Sequence, residues 1–295
     1  MNKQISLFKT IIGIIGLSIL LGGGYFIYGS FFQREVDSMA RNAPIESTII
    51  SINKRQPMPV AVGLAAGIAY DSDNDLFFIS TDQPQTLRNI PEAQVHVLNS
   101  DLDTVEATTL LTTDGDLEGI AYIGNSTAVA ISEIGTLIYL QYDGAGGLVE
   151  QRRVTALDDT ATHKLGSLAA DPVGEHLYSA EKEGTKTIYQ FDYAGNLLNS
   201  FELTIPDSFA SSRAYSLDTD YTIAGMTYAD GFLYIFSEAY STIFKFDLAS
   251  QQVTEVIGVE SLPEVAGITA KGGELVFVGD FESYLPTPVF HIASR

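Results

Sequence analysis

The chain has 295 residues, 45% of them hydrophobic, which excludes wholesale disorder and leaves enough material for a large core. Its net charge of −21 argues against nucleic acid as a partner, because phosphate binding needs clustered lysine and arginine. The lack of cysteine excludes disulfides, thiolate catalysis and a lipid-modified cysteine anchor.

Residues 1–10 carry Lys3 and Lys9, and no charged residue follows from Ile11 to Phe32. About 20 such residues span a bilayer, and Tyr25, Tyr28, Phe31 and Phe32 suit its outer interfacial belt. The run is longer than a leader core and ends in a poor cleavage context. It predicts an uncleaved transmembrane signal anchor over 11–32, with a cleaved leader as the alternative. Lysines ahead of the span place the amino terminus in the cytoplasm. The rest then lies beyond the cytoplasmic (inner) membrane, in the periplasm or outside the cell. Residues 33–44 read as a polar stalk.

From Ile45 the helical period is gone, and short β-rich runs alternate with Gly, Asp and Asn turns. One unit recurs five times. Its copies open at Ala66-Gly67-Ile68-Ala69-Tyr70, Glu118-Gly119-Ile120-Ala121-Tyr122, Leu165-Gly166-Ser167-Leu168-Ala169, Ala224-Gly225-Met226-Thr227-Tyr228 and Ala266-Gly267-Ile268-Thr269-Ala270. Each continues through a turn into a second apolar strand and then a third, with a polar fourth strand in four copies. A spacing of roughly 40 to 60 residues is that of four-stranded propeller blades. The reading is an all-β, five-bladed β-propeller over 45–295. Six blades would require a further element within Gln56 to Gly63. The fifth copy lacks an outer strand, and Glu46 to Ile52 is the candidate that closes the ring, since closure removes exposed edges. The longest insertion, Ile205 to Tyr221, is a candidate lid.

Every copy carries an acid where its second strand ends: Asp82, Glu133, Glu181, Glu238 and Asp280. Acids make up only 37 of 295 residues, so five in five at one position is not chance. The start of strand one and the end of strand two share a rim of the channel, which adds Glu118 and, slightly earlier in its blade, Glu264. Crowded carboxylates repel and raise one another's pKa. A hard cation is the economical neutraliser, and Ca²⁺ accepts six to eight oxygens in loose geometry. The predicted metal set is Glu118, Glu133, Glu181, Glu238, Asp280 and Asp82.

Three stretches carry a resemblance: Asp116 to Asn125, Ser179 to Glu183 with Ile188 to Asp192, and Ala224 to Tyr228 with Phe236-Ser237-Glu238. They resemble the SdiA-regulated (YjiK-like) family, which is related to NHL-type propellers, over about Ile45 to Arg295. The resemblance implies a five-bladed propeller with a calcium site and no defined activity. The chain departs from the pattern at Leu165 and Ala66, where an acid is expected before the glycine.

The leading expectation is therefore a membrane-anchored module for an extracytoplasmic ligand or protein. The alternative is a calcium-dependent hydrolase of the lactonase type, for which His163 is the histidine placed on the carboxylate rim to act as base. His96, His176 and His291 fall elsewhere and read as structural. No Gly-x-Ser-x-Gly elbow, P-loop or dinucleotide fingerprint occurs.

Overall fold

The computed structural model describes residues 48–81, 92–112, 116–144, 147–157, 164–182, 186–204, 222–238, 241–259, 262, 265–279 and 288–293. The predicted anchor and stalk, the candidate lid, His163 and Glu264 lie outside them. In chain order the strands are β1 (Thr48–Ile50), β2 (Lys54–Pro57), β3 (Ala65–Asp71), β4 (Leu76–Thr81), β5 (Glu92–Asn99), β6 (Val105–Thr112) and β7 (Leu117–Gly124). Next come β8 (Thr127–Ser132), β9 (Thr136–Tyr142), β10 (Leu148–Thr155), β11 (Ala169–Asp171), β12 (His176–Ala180), β13 (Thr187–Asp192) and β14 (Leu197–Glu202). The last seven are β15 (Ile223–Ala229), β16 (Phe232–Ser237), β17 (Thr242–Asp247), β18 (Gln252–Val259), β19 (Val265–Lys271), β20 (Glu274–Gly279) and β21 (Pro288–Ala293).

These strands form five antiparallel meanders: β3 to β6, β7 to β10, β11 to β14, β15 to β18, and β19 to β21 completed by β2. The described residues form an all-β, five-bladed propeller. Gln56 belongs to β2 and Val60–Val62 is a single 3-10 turn, so that stretch adds no sixth sheet. Hairpins between first and second strands turn on left-handed residues: Asn125 and Ser126 in blade two, Asp230 and Gly231 in blade four, Gly272 and Gly273 in blade five. Paired positive φ values give the turn whose twist matches the flanking strands.

Alternation along the strands creates two apolar faces per blade, and each face meets a neighbour. Five buried clusters result, one in every seam. Ala69, Phe78 and Val95 meet Ile120, Ala130 and Ile138 between blades one and two. Val129 and Leu137 meet Leu168 and Phe191 between two and three. Tyr178 and Ile188 meet Met226 and Phe244 between three and four. Phe236 and Ile243 meet Ile268 and Phe277 between four and five. Val276 and Val278 meet Ile68 and Phe77 between five and one, sealed by Met58 and Val62. Full burial of such a side chain stabilises by roughly 1.5–3 kcal/mol, so each seam is a substantial contribution.

Ring closure differs from the sequence expectation. The outer strand of blade five is β2, with Lys54 opposite His291 and Gln56 opposite Val289. The apolar run predicted to fill that place forms β1 instead and pairs in parallel with β18, as a fifth strand of blade four. The cause is chemical. Outer strands face water, as β14 does along most of its length. Lys54-Arg55-Gln56-Pro57 suits such an edge, where a proline removes no needed donor. Ile50 and Ile52 instead pack against the core between blades four and five.

Candidate functional site

The five innermost strands begin at one rim of the channel and end at the other. At their start they approach one another closely. A Cβ on Gly119 would lie 2.5 Å from the Leu168 nitrogen, and one on Gly267 would lie 2.9 Å from the Gly67 Cα. Only glycine permits these backbone contacts, and they reduce the axis there to a gap of about 10 Å³.

Strand register corrects the placement of blade three. Leu117 pairs with Ser132, after which a bulge brings Gly119 opposite Ile131. The same step occurs at Ala65 and Thr81, Ile223 and Ser237, and Val265 and Gly279. In blade three the corresponding bridge joins Leu165 to Glu181. Gly166 therefore stands where Glu118 stands, and Lys182, not Glu181, occupies the position of Glu133. Backbone bonds between blades agree: Leu165 N donates to Glu133 O at 2.9 Å, and Ile223 N to Lys182 O at 3.3 Å.

The rim carboxylates consequently have distinct settings. Lys182 Nζ lies 2.9 Å from Glu118 Oε1 and 3.0 Å from Oε2. Burial pushes the Glu118 carboxyl up, and the Lys182 ammonium opposes that rise. Glu133 lies 3.7 Å from Lys164. Glu181 is buried away from the rim, where its Oε1 accepts from the Tyr189 hydroxyl at 2.9 Å and its Oε2 from Thr187 N at 3.1 Å. Glu238 follows the second strand of blade four at the position of Glu133, while Asp82 and Asp280 lie outside the described residues. Among the described residues no three aspartate, glutamate or histidine side chains gather in a group suited to a metal ion. Of the histidines, His96 is buried with Nδ1 2.9 Å from Thr108 Oγ1, and burial holds its pKa down at about 4. His291 lies 3.6 Å from Glu274 on the outer part of blade five.

The opposite end of the channel widens into a cavity of about 380 Å³. Its floor is Ile68, Ile120, Leu168, Met226 and Ile268, one per blade, which also border the narrow gap. Above the floor stand Ala69, Ala121, Ala169, Thr227 and Thr269, a small residue in every blade. Tyr70, Tyr122 and Tyr228 form a collar on blades one, two and four, with Ala170 and Ala270 on the other two. The Tyr70 hydroxyl donates to Asp75 at 2.9 Å, and the Tyr122 hydroxyl to Asp73 at 2.5 Å. Burial, together with Asp75, pushes the Tyr70 pKa up to about 12, so the phenol stays protonated. Asp73 also lines the mouth. Sequence reasoning passed over this end because it lacks a repeated acid. Its signal was the small residue two places after each repeat glycine, and after Ser167 in blade three.

No family model matches the chain. No curated protein matches it in sequence. Its backbone is similar to that of a glutaminyl cyclase from Myxococcus xanthus, with TM-score 0.59 and 15% identity over 84% of this chain and 97% of that one. It is also similar to a chain of the nidogen/laminin complex, with TM-score 0.49 and 15% identity over 73% of this chain and 72% of that one. A PQQ-bound aldose sugar dehydrogenase from Streptomyces coelicolor gives TM-score 0.48 and 9% identity over 85% of this chain and 99% of that one. At such identities the likeness to the cyclase shows the β-propeller fold alone, and propellers serve both as enzymes and as binding modules.

Proposed function

We propose that the chain is a ligand-binding module of the SdiA-regulated type, held at the outer face of a cytoplasmic membrane by residues 11–32. Its ligand enters the axial cavity at the end opposite the carboxylate rim. The observation that supports this is the cavity itself, about 380 Å³, to which all five blades contribute. That volume is at the lower end of the range for small-molecule sites. An apolar floor with a few polar groups at the mouth is also the usual composition of such a site. The test is a thermal-shift screen of small organic compounds on the full chain and on Ala270→Phe, which places a ring across the mouth. Compounds that raise the melting temperature of the native chain should lose their effect on the variant. Retention of every effect would place binding elsewhere. Protease added to spheroplasts checks the orientation, since it should digest the propeller.

The resemblance also brings an expectation of Ca²⁺ at the glycine rim. Glu118 is committed to Lys182, and Glu181 is turned away, so the described residues do not by themselves fit such an ion. A calcium site there would have to draw on Asp82, Glu133, Glu238 and Asp280. Metal analysis of the purified full chain decides it: no stoichiometric calcium, with a melting temperature indifferent to chelator, removes the ion from the reading. No feature of the described residues favours the hydrolase alternative.

A further inference from the structure

The geometry points to a small organic cation, an ammonium or guanidinium on a compact apolar body, as the ligand class of the axial cavity. This rests on the reading of that cavity as the binding site. Two sets of groups meet there. The floor side chains, Ile68, Ile120, Leu168, Met226 and Ile268, are all apolar and give the deepest part of a ligand no charged or hydroxyl partner. The mouth offers aromatic rings and oxygen acceptors, and no described residue lining the cavity is a lysine or arginine.

The polarity of the mouth is fixed by its hydrogen bonds. The phenol protons of Tyr70 and Tyr122 are already directed to Asp75 and Asp73, and the Tyr122 oxygen also accepts from Ser126 N at 3.1 Å, so neither phenol has a proton free to donate to a ligand. Asp71 is spent on its own turn, where it accepts from Asp73 N at 2.9 Å and from the Asn74 side chain at 2.8 Å. Asp73 uses Oδ2 for Tyr122 and for Asn125 N at 3.2 Å. An incoming anion would meet carboxylate and phenol oxygens, whereas a cation would meet a charge partner set among tyrosines. The protein shows the arrangement in miniature beside the cavity. Lys271 Nζ lies 2.8 Å from Asp75 Oδ1, 4.7 Å from the centroid of the Tyr70 ring and 5.0 Å from that of Phe77. An ammonium flanked by a tyrosine face and a turn carboxylate is thus a combination this end of the fold already accommodates. Tyr122 with Asp73 repeats the combination at the mouth.

The experiment uses three probes of closely similar size and three charges: 3-phenylpropylammonium, 3-phenylpropanol and 3-phenylpropionate. Each is titrated calorimetrically into the full chain in an uncharged detergent, with detergent blanks. The cation should bind about tenfold more tightly than the alcohol, and the carboxylate most weakly. Asp73→Asn, close in shape, should weaken the cation about fivefold and leave the alcohol unchanged. Ala270→Phe should abolish binding of all three, with its melting temperature reporting that it is folded. If the alcohol or carboxylate binds as tightly as the cation, and Ala270→Phe abolishes that binding, the cavity stands and the cation class is overturned. If none of the probes binds, or Ala270→Phe leaves binding intact, cavity and ligand class fall together.

Discussion

Blades two and three occupy neighbouring places in one ring, share a seam of buried side chains, and differ at their inner end. Blade two starts with an eight-residue strand and presents Glu118 and Glu133 to the rim. Blade three starts with a three-residue strand and presents Gly166 and Lys182 at the same two positions. The difference is complementary, because the lysine of one blade meets the glutamate of the other. A repeat protein can thus neutralise part of a rim by varying a single copy, with no change in backbone register.

The strongest way to break this junction is steric. Gly119→Ala forces a methyl group against the blade-three backbone at Leu168 and Ser167. Neither neighbour is a flexible side-chain tip, so the loss should be about 3 kcal/mol by chemical denaturation. A change under about 0.5 kcal/mol would mean that the two strands do not approach as described.

Next in size is electrostatic. Lys182→Met leaves Glu118 nearly buried without its counter-charge, which should cost about 2 kcal/mol at neutral pH, allowing for the partial exposure of the lysine. The sign with pH follows from the raised carboxyl. Burial makes the folded state hold the Glu118 proton more tightly than the unfolded state does. The defect is therefore present above the raised pKa and fades as pH falls through it, because a protonated Glu118 needs no partner. Glu118→Gln combined with Lys182→Met should restore most of the loss, and a defect indifferent to pH would contradict the pairing.

The smallest effect concerns Glu181. If it is an internal acceptor of blade three, Tyr189→Phe should lower stability by about 1.5 kcal/mol through a buried carboxylate that loses a donor. It should leave any metal content of the rim untouched. Loss of a bound cation in that variant would return Glu181 to the rim.

These distinctions bear on what could be read from the chain beforehand. Five blades were legible because Gly67, Gly119, Gly225 and Gly267 each open a strand whose apolar alternation repeats. Blade three was read one residue out of step, since its glycine lies at the bulge and Ser167 holds the position glycine has elsewhere. No spacing rule shows this; it takes the pairing of Leu165 with Glu181. The closing strand was missed for the opposite reason. Lys54 to Pro57 has no apolar period, as an outer strand needs little, and the more hydrophobic run ahead of it drew the assignment. The ligand end was hidden because a cavity is made by what is small. Ala69, Ala121, Ala169, Thr227 and Thr269 are all small yet form no pattern that a motif search registers.

The pairing of β2 with β21 also sets an order of events during synthesis. β2 lies near the start of the propeller and its partner near the end, so blade five stays incomplete until four other blades have been made. Chains emerge amino terminus first at roughly 5–20 residues per second, which leaves β2 waiting for many seconds beside nascent sheets with open edges. Closure then needs a loop spanning nearly the whole domain, a slow step that no disulfide secures in this cysteine-free chain. The proline that ends the strand, Pro57, the Pro59 just beyond it, and the charges of Lys54 and Arg55 make the waiting strand a poor template for mispairing.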